Sequence, residues 1–238
     1  MPYRILTALG LLSLTASVYA AEEDEDDPFF GAISFGYLAT TGNTETTSFD
    51  TQAAATYRTE LWEHEASGQA FRSSENKVTN AEYYTALWRS RRDLTERDFL
   101  FGRLNWRKDR FGAFDTQFSQ TVGYGRRIFT GPVHTLNVEV GAGARQSEDQ
   151  AGMSVNETIF LGALDYLWQF SETSSFSQIF TIEAGNENTF FESKSSVSAQ
   201  LIGALALVAS YTIRSNSDVP VAAEKTDTQT GISLEYRF

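Results

Sequence analysis

The chain has 238 residues, with 19 Lys and Arg against 31 Asp and Glu, for a formal net charge of −12. It has no cysteine and two histidines, which excludes disulfides, thiolate metal sites, a cysteine nucleophile and a histidine-rich metal centre. An acidic chain without a basic block lacks the clustered cations that phosphate contacts need, so no nucleic-acid partner is expected, and no cofactor or metal.

Met1 to Arg4 is a short cationic start, Ile5 to Leu14 is mostly apolar, and Val18-Tyr19-Ala20 places small residues at the two positions that signal peptidase reads. Residues 1–20 therefore read as a signal peptide cleaved after Ala20, which implies export through the secretory pathway. The apolar stretch is shorter than the roughly 20 residues of a spanning helix. Residues 21–28 hold the run Glu22 to Asp27. That run lacks the glycine and the interleaved spacing of a calcium loop, and like charges repel, so it reads as a disordered acidic spacer.

Residues 29–238 show no helical period and alternate with period two to the last residue, the signature of strands whose successive side chains face opposite sides. The pattern predicts twelve strands, near 30–40, 46–59, 62–74, 80–93, 97–108, 115–129, 133–146, 156–170, 174–186, 189–202, 204–215 and 226–238. Phe49, Thr51, Ala53, Ala55 and Tyr57 alternate with Ser48, Asp50, Gln52, Thr56 and Arg58. Leu136, Val138 and Val140 alternate with Asn137, Glu139 and Gly141. The last strand sets Ile232, Leu234, Tyr236 and Phe238 against Ser233, Glu235 and Arg237. Pro28, Pro132 and Pro220 all fall outside the strands, where no ladder bond is lost.

Several of these strands are longer than the five or six residues usual in soluble sheets and long enough to cross a bilayer at a tilt. The expected fold is all-β, a transmembrane antiparallel up-and-down barrel of twelve strands with both termini periplasmic. Tight connections are expected around Glu60, Thr95, Gly131, Thr173 and Gly203. Longer polar loops are expected at 41–45, 74–79, 109–114, 146–155, 185–188 and 216–225, the asymmetry of an outer-membrane barrel. Two aromatic girdles are expected. Phe29, Phe30, Tyr57, Trp62, Phe99, Phe129, Trp168, Phe170, Phe176, Tyr236 and Phe238 make the one near the tight turns. Tyr37, Phe71, Trp106, Phe111, Phe114, Phe190, Phe191 and Tyr211 make the other. Outer-membrane lipid is thus one partner. A second is the outer-membrane assembly machinery, which would read a terminal strand ending in Tyr236 and Phe238.

The chain resembles the salt-induced outer-membrane proteins of Gram-negative bacteria, a family defined as a domain of unknown function. Gly36-Tyr37, Thr41-Gly42-Asn43-Thr44, Trp62-Glu63-His64 and Phe101-Gly102-Arg103 carry the resemblance in the first half. Arg107, Asp109, Arg110, Phe111 and Gly123-Tyr124-Gly125 continue it, followed by Glu139-x-Gly141-x-Gly143-x-Arg145, Asp165-Tyr166, Ser210-Tyr211-Thr212 and Lys225-Thr226-Asp227-Thr228. The resemblance implies an outer-membrane barrel whose expression responds to salt, and it supplies no catalytic or ligand residues.

Three functions are open at this level. A channel is the first. The polar strand faces place Asp50, Arg58, Arg103, Arg107, Glu139, Arg145, Glu183, Lys194, Arg214 and Glu235 in the lumen, where rings of charge set selectivity. The same charges, paired with one another, would instead make a structural plug of a narrow barrel. A lipid-hydrolysing enzyme would need a Ser–His pair on the lipid face. His64 and His134 both fall by tight turns and read as girdle residues, so no enzyme is expected. A binding surface on the loops, with Asp109 to Phe114 as its richest segment, is the third reading.

Overall fold

The structure is a computed structural model that describes residues 28–40, 45–220 and 223–238. The signal segment with Ala20, the acidic run and Thr41-Gly42-Asn43-Thr44 lie outside the described residues.

Twelve strands run in chain order: β1 Phe29–Thr40, β2 Thr46–Arg58, β3 Trp62–Glu75, β4 Val78–Asp93, β5 Asp98–Asp109, β6 Phe114–Thr130, β7 His134–Asp149, β8 Ser154–Ser171, β9 Ser174–Gly185, β10 Thr189–Ile202, β11 Leu205–Asn216 and β12 Thr226–Arg237. Each pairs antiparallel with its neighbours in sequence, and β1 pairs with β12 to close the barrel. Closure leaves no sheet edge, the condition for a sheet in lipid, where an unpaired backbone group finds no water. Strands of 12 to 18 residues exceed the 9–11 needed to cross a bilayer at a tilt. The expected number, order and approximate bounds of the strands match the structure.

Alternation sorts the side chains in the reverse sense of a soluble protein. Val122, Val140 and Phe160 are 70, 58 and 69 % exposed on the outer face, while Glu139, Arg145 and Glu235 are 4, 1 and 1 % exposed on the inner face. The buried apolar cluster among the described residues is Phe99, Phe101 and Leu161, far too small a core to hold a soluble domain together. The closed ladder holds the sheet instead, and the apolar outer face is of the kind that lipid covers.

The loop asymmetry is weaker than expected. Connections on the side of the termini are two to four residues long; on the other side they are two to five, with the nine residues 217–225 as the one longer loop. The loop expected over 74–79 is a two-residue turn, Asn76-Lys77, with φ of 49° and 67°. Positive φ at both central residues is the turn that matches strand twist, and Asn-Lys signals it less clearly than Asn-Gly. The two sides are called the terminal end and the loop end below.

Closure at β1 and β12 is the shortest ladder: four register pairs, Ala32↔Arg237 to Phe35↔Leu234, against twelve between β1 and β2. Two backbone bonds between Gly31 and Phe238, of 2.7 and 2.9 Å, extend it at the terminal end.

Candidate functional site: the charged lumen

Because each strand has one inward face, parity decides what lines the lumen. The inward residues of β4 and β5 include Arg89, Arg91, Arg103 and Arg107, and those of β7 to β9 include Glu139, Arg145, Glu157, Asp165 and Glu183. All ten lumen charges singled out in the sequence lie on inward faces. Arg58, Arg103, Arg107, Glu139, Lys194 and Arg214 line one cavity of about 170 Å³; Asp50, Arg145, Glu183 and Glu235 are buried on the same faces. The cavity is roomy and polar enough to hold water.

The charges fall into three groups. At the terminal end, Glu63 accepts from Arg58 and Arg91 at 3.1 Å each. Glu139 accepts from Arg89 at 3.4 Å and lies 3.4 Å from Arg91, and Arg89 also pairs with Glu65. The Arg89–Glu139 contact joins β4 to β7 across the inside of the barrel. At the loop end, Arg145 donates to Glu157 at 2.6 Å, to Glu183 at 3.4 Å and to the carbonyl of Asn188. Glu157 also accepts from the backbone N–H groups of Glu187 and Asn188, which ties the β9–β10 turn to the inward face of β8. Also towards the loop end stands Tyr83 of β4. Its hydroxyl donates to Gln229 Oε1 of β12 at 2.5 Å, across the lumen. Arg107 and Arg214 lie 5.2 and 5.1 Å from its ring centroid, and Phe71 stacks on it at 5.1 Å. Arg107 pairs with Asp109 at 2.7 Å and Arg214 with Glu192 at 2.5 Å.

Four of the expected girdle aromatics are inside instead. Phe71 stacks on Tyr83, Phe30 lies under Arg58 at 5.1 Å, and Phe190 lines the cavity. Phe99 is fully buried between Arg91 and Arg127, 4.9 and 5.2 Å from its centroid. Parity on β5 carried this signal, since Phe99 shares the face of Arg103 and Arg107. Inward glycines make room for these rings: a Cβ on Gly125 would meet Phe99 at 2.2 Å, and one on Gly123 would meet Phe101 at 2.7 Å. The exposed outer aromatics Phe29, Tyr57, Trp62, Phe129, Trp168, Phe170, Tyr236 and Phe238 hold the terminal end, with Tyr37, Phe111 and Tyr211 towards the loop end.

Both histidines are outward. His64 lies between Trp62 and Trp88, with Nδ1 2.9 Å from Ser90 Oγ. That oxygen also accepts from Trp88 Nε1 at 3.0 Å, and no carboxylate contacts the His64 ring among the described residues. His134 stacks between Tyr166 and Trp168, with Nδ1 2.9 Å from the Tyr166 hydroxyl. The loop at Asp109 to Phe114 is tied down: Asp109 accepts from the N–H groups of Phe111 and Gly112, and Gln150 of the next loop donates to the carbonyls of Asp109 and Gly112.

Many inward polar atoms find no hydrogen-bond partner among the described residues. Arg91 Nε and Nη2, Arg103 Nε, Asn137 Oδ1, Glu139 Oε2, Thr212 Oγ1 and Gln229 Nε2 are all buried and without a hydrogen bond.

Three comparisons bear on this barrel. Over 99 % of its length the chain is 32 % identical to the uncharacterized protein YdiY of Escherichia coli K12, covering 97 % of that protein. Among solved structures it is similar to the COG4313 outer membrane channel from Pseudomonas putida F1, with TM-score 0.53 and 10 % identity over 88 % of this chain and 95 % of that one. It is also similar to the NanC porin, with TM-score 0.50 and 9 % identity over 87 and 96 % of the two chains. These structures share the outer-membrane barrel fold. Residues 33–238 match the model of the protein family of unknown function DUF481, and the chain belongs to that family of outer-membrane barrels.

Proposed function

We propose that the barrel is a narrow diffusion channel for small ions and solutes in the outer membrane of a Gram-negative bacterium. One observation carries the reading: the lumen's charged and polar groups, although many are paired, do not all satisfy one another. A plug of side chains must pair its buried polar groups, because each one left without a hydrogen bond costs about 1–3 kcal/mol. Here Nε and Nη2 of Arg91, Nε of Arg103, Oε2 of Glu139 and Oδ1 of Asn137 are buried around one cavity with no hydrogen-bond partner among the described residues. Water in a continuous lumen satisfies such groups, and that water is the conducting path.

The second reading, a closed structural barrel serving the stressed envelope, draws on two contacts. Tyr83 bridges to Gln229, and Arg145 holds the Asn188 turn at the loop end. The channel reading takes the same two places as its constrictions.

Other parts of the account belong to the proposal as well. Export would follow cleavage after Ala20, and Tyr236 and Phe238 would be read during assembly, with both termini in the periplasm. In proteoliposomes the channel reading predicts osmotic swelling with glycine and none with a trisaccharide. Swelling no faster than in protein-free liposomes, for every solute, would support the closed barrel.

A further inference from the structure

Seven cationic and five carboxylate side chains line the cavity, although the chain carries −12 overall. The excess lies towards the loop end, where Arg107, Lys194 and Arg214 share the wall with one carboxylate, Glu192. Arg107 is held by Asp109 and Arg214 by Glu192. Lys194 is different. It is 4 % exposed and lines the cavity, and it makes no hydrogen bond or ion pair of 4 Å or less among the described residues.

Of the three carboxylates around Lys194, two are taken by arginines and the third is held by neutral amides. Asp50 accepts from the amides of Gln52 and Gln69 at 3.1 and 3.0 Å. Glu192 is taken by Arg214 at 2.5 Å and Glu235 by Arg237 at 2.7 Å. On β5, five strands round the wall, Arg103 also makes no ion pair among the described residues, and its Nε has no hydrogen-bond partner among them. A buried ammonium that makes no ion pair of 4 Å or less is costly, and an anion in the cavity that met it would lower that cost.

We infer that Lys194, with Arg103 on the far wall, forms a binding step in the lumen for a compact monovalent anion of carboxylate or halide size. This rests on the channel reading and gives that channel an anion preference despite its acidic chain. The small cavity limits the occupant to a few heavy atoms plus water. Lys194 would hold the anion directly, and the guanidiniums of Arg107 and Arg214 would add long-range attraction at that level of the lumen.

The test is the reversal potential of the refolded protein in a KCl gradient across a planar bilayer, with each variant first checked for folding by heat-modifiable migration. Chloride should permeate better than potassium. Lys194→Met should lower that ratio about fivefold, the effect of one charge at close range in water, Lys194→Glu should reverse it, and Lys194→Arg should keep it. A cation-preferring parent, or a Lys194→Met ratio equal to the parent's, overturns the inference and leaves the channel reading intact. Calorimetric titration of the micelle-bound barrel with sodium acetate reads the site separately. Saturable binding that disappears in Lys194→Met supports it. Binding in a barrel that never conducts removes the channel reading alone, and neither binding nor conductance removes both.

Discussion

Gly125 is where the packing of the lumen can be tested by one methyl group. A Cβ there would stand 2.2 Å from two atoms of the Phe99 ring, so Gly125→Ala and the present ring position are incompatible. Phe99 cannot shift freely, because Arg91 and Arg127 lie against it at 4.9 and 5.2 Å and Arg127 is itself held by Asp93 at 2.8 Å. Overpacking costs about 1–3 kcal/mol, and breaking a desolvated cation–π interaction on either side of the ring costs about 1–2 kcal/mol more. Alanine recovers about 0.5–1 kcal/mol of backbone entropy relative to glycine in a strand. The net expectation is a barrel less stable by about 2–3 kcal/mol. Gly102→Ala is the control, since a Cβ at that position meets nothing within 4 Å. The assay is reversible urea unfolding in lipid vesicles, followed by tryptophan emission and heat-modifiable migration. Adding Phe99→Leu to Gly125→Ala should restore part of the loss. Equal stability of the Gly125→Ala and Gly102→Ala proteins would refute the packing argument.

Other consequences follow from the same interactions. Arg145→Met leaves the buried carboxylates of Glu157 and Glu183 without their guanidinium and should cost about 3–5 kcal/mol in the same titration, part of it regained with Glu157→Gln. Deleting Phe238 removes both backbone bonds to Gly31 from the shortest ladder. Amide hydrogen exchange at Gly31 to Phe35 should then accelerate well before exchange in β6 and β7, and unchanged protection there would mean that the seam is held by other interactions.

Much of this barrel is legible in the sequence because alternation is a local property. A strand such as 134–149 sets Val138 and Val140 against Asn137 and Glu139 without reference to its neighbours, so inward and outward faces follow from parity alone. What parity cannot give is partnership. That Tyr83 reaches from β4 to Gln229 on β12 depends on barrel width, and that Lys194 stands apart while Arg214 takes Glu192 depends on side-chain reach across the lumen. The inward position of Phe99 escapes the sequence for a different reason. Aromatic residues near strand ends suggest girdles, and that compositional signal runs against the parity that Phe99 shares with Arg103. The inward glycines at 123 and 125 resolve the conflict, since a face that carries glycine opposite an inward ring has space for it. The turn at Asn76-Lys77 is hidden because its residues do not announce positive φ as Asn-Gly does.

The most direct test of the central claim is the single-channel conductance of the refolded protein beside Tyr83→Ala, recorded in the same planar bilayers. Removing the ring deletes the bridge to Gln229 and the body between Arg107 and Arg214. The account predicts small discrete steps for the parent and larger, still discrete steps for Tyr83→Ala. A folded parent and a folded Tyr83→Ala protein that are both silent would contradict it, and the lumen would then be a plug.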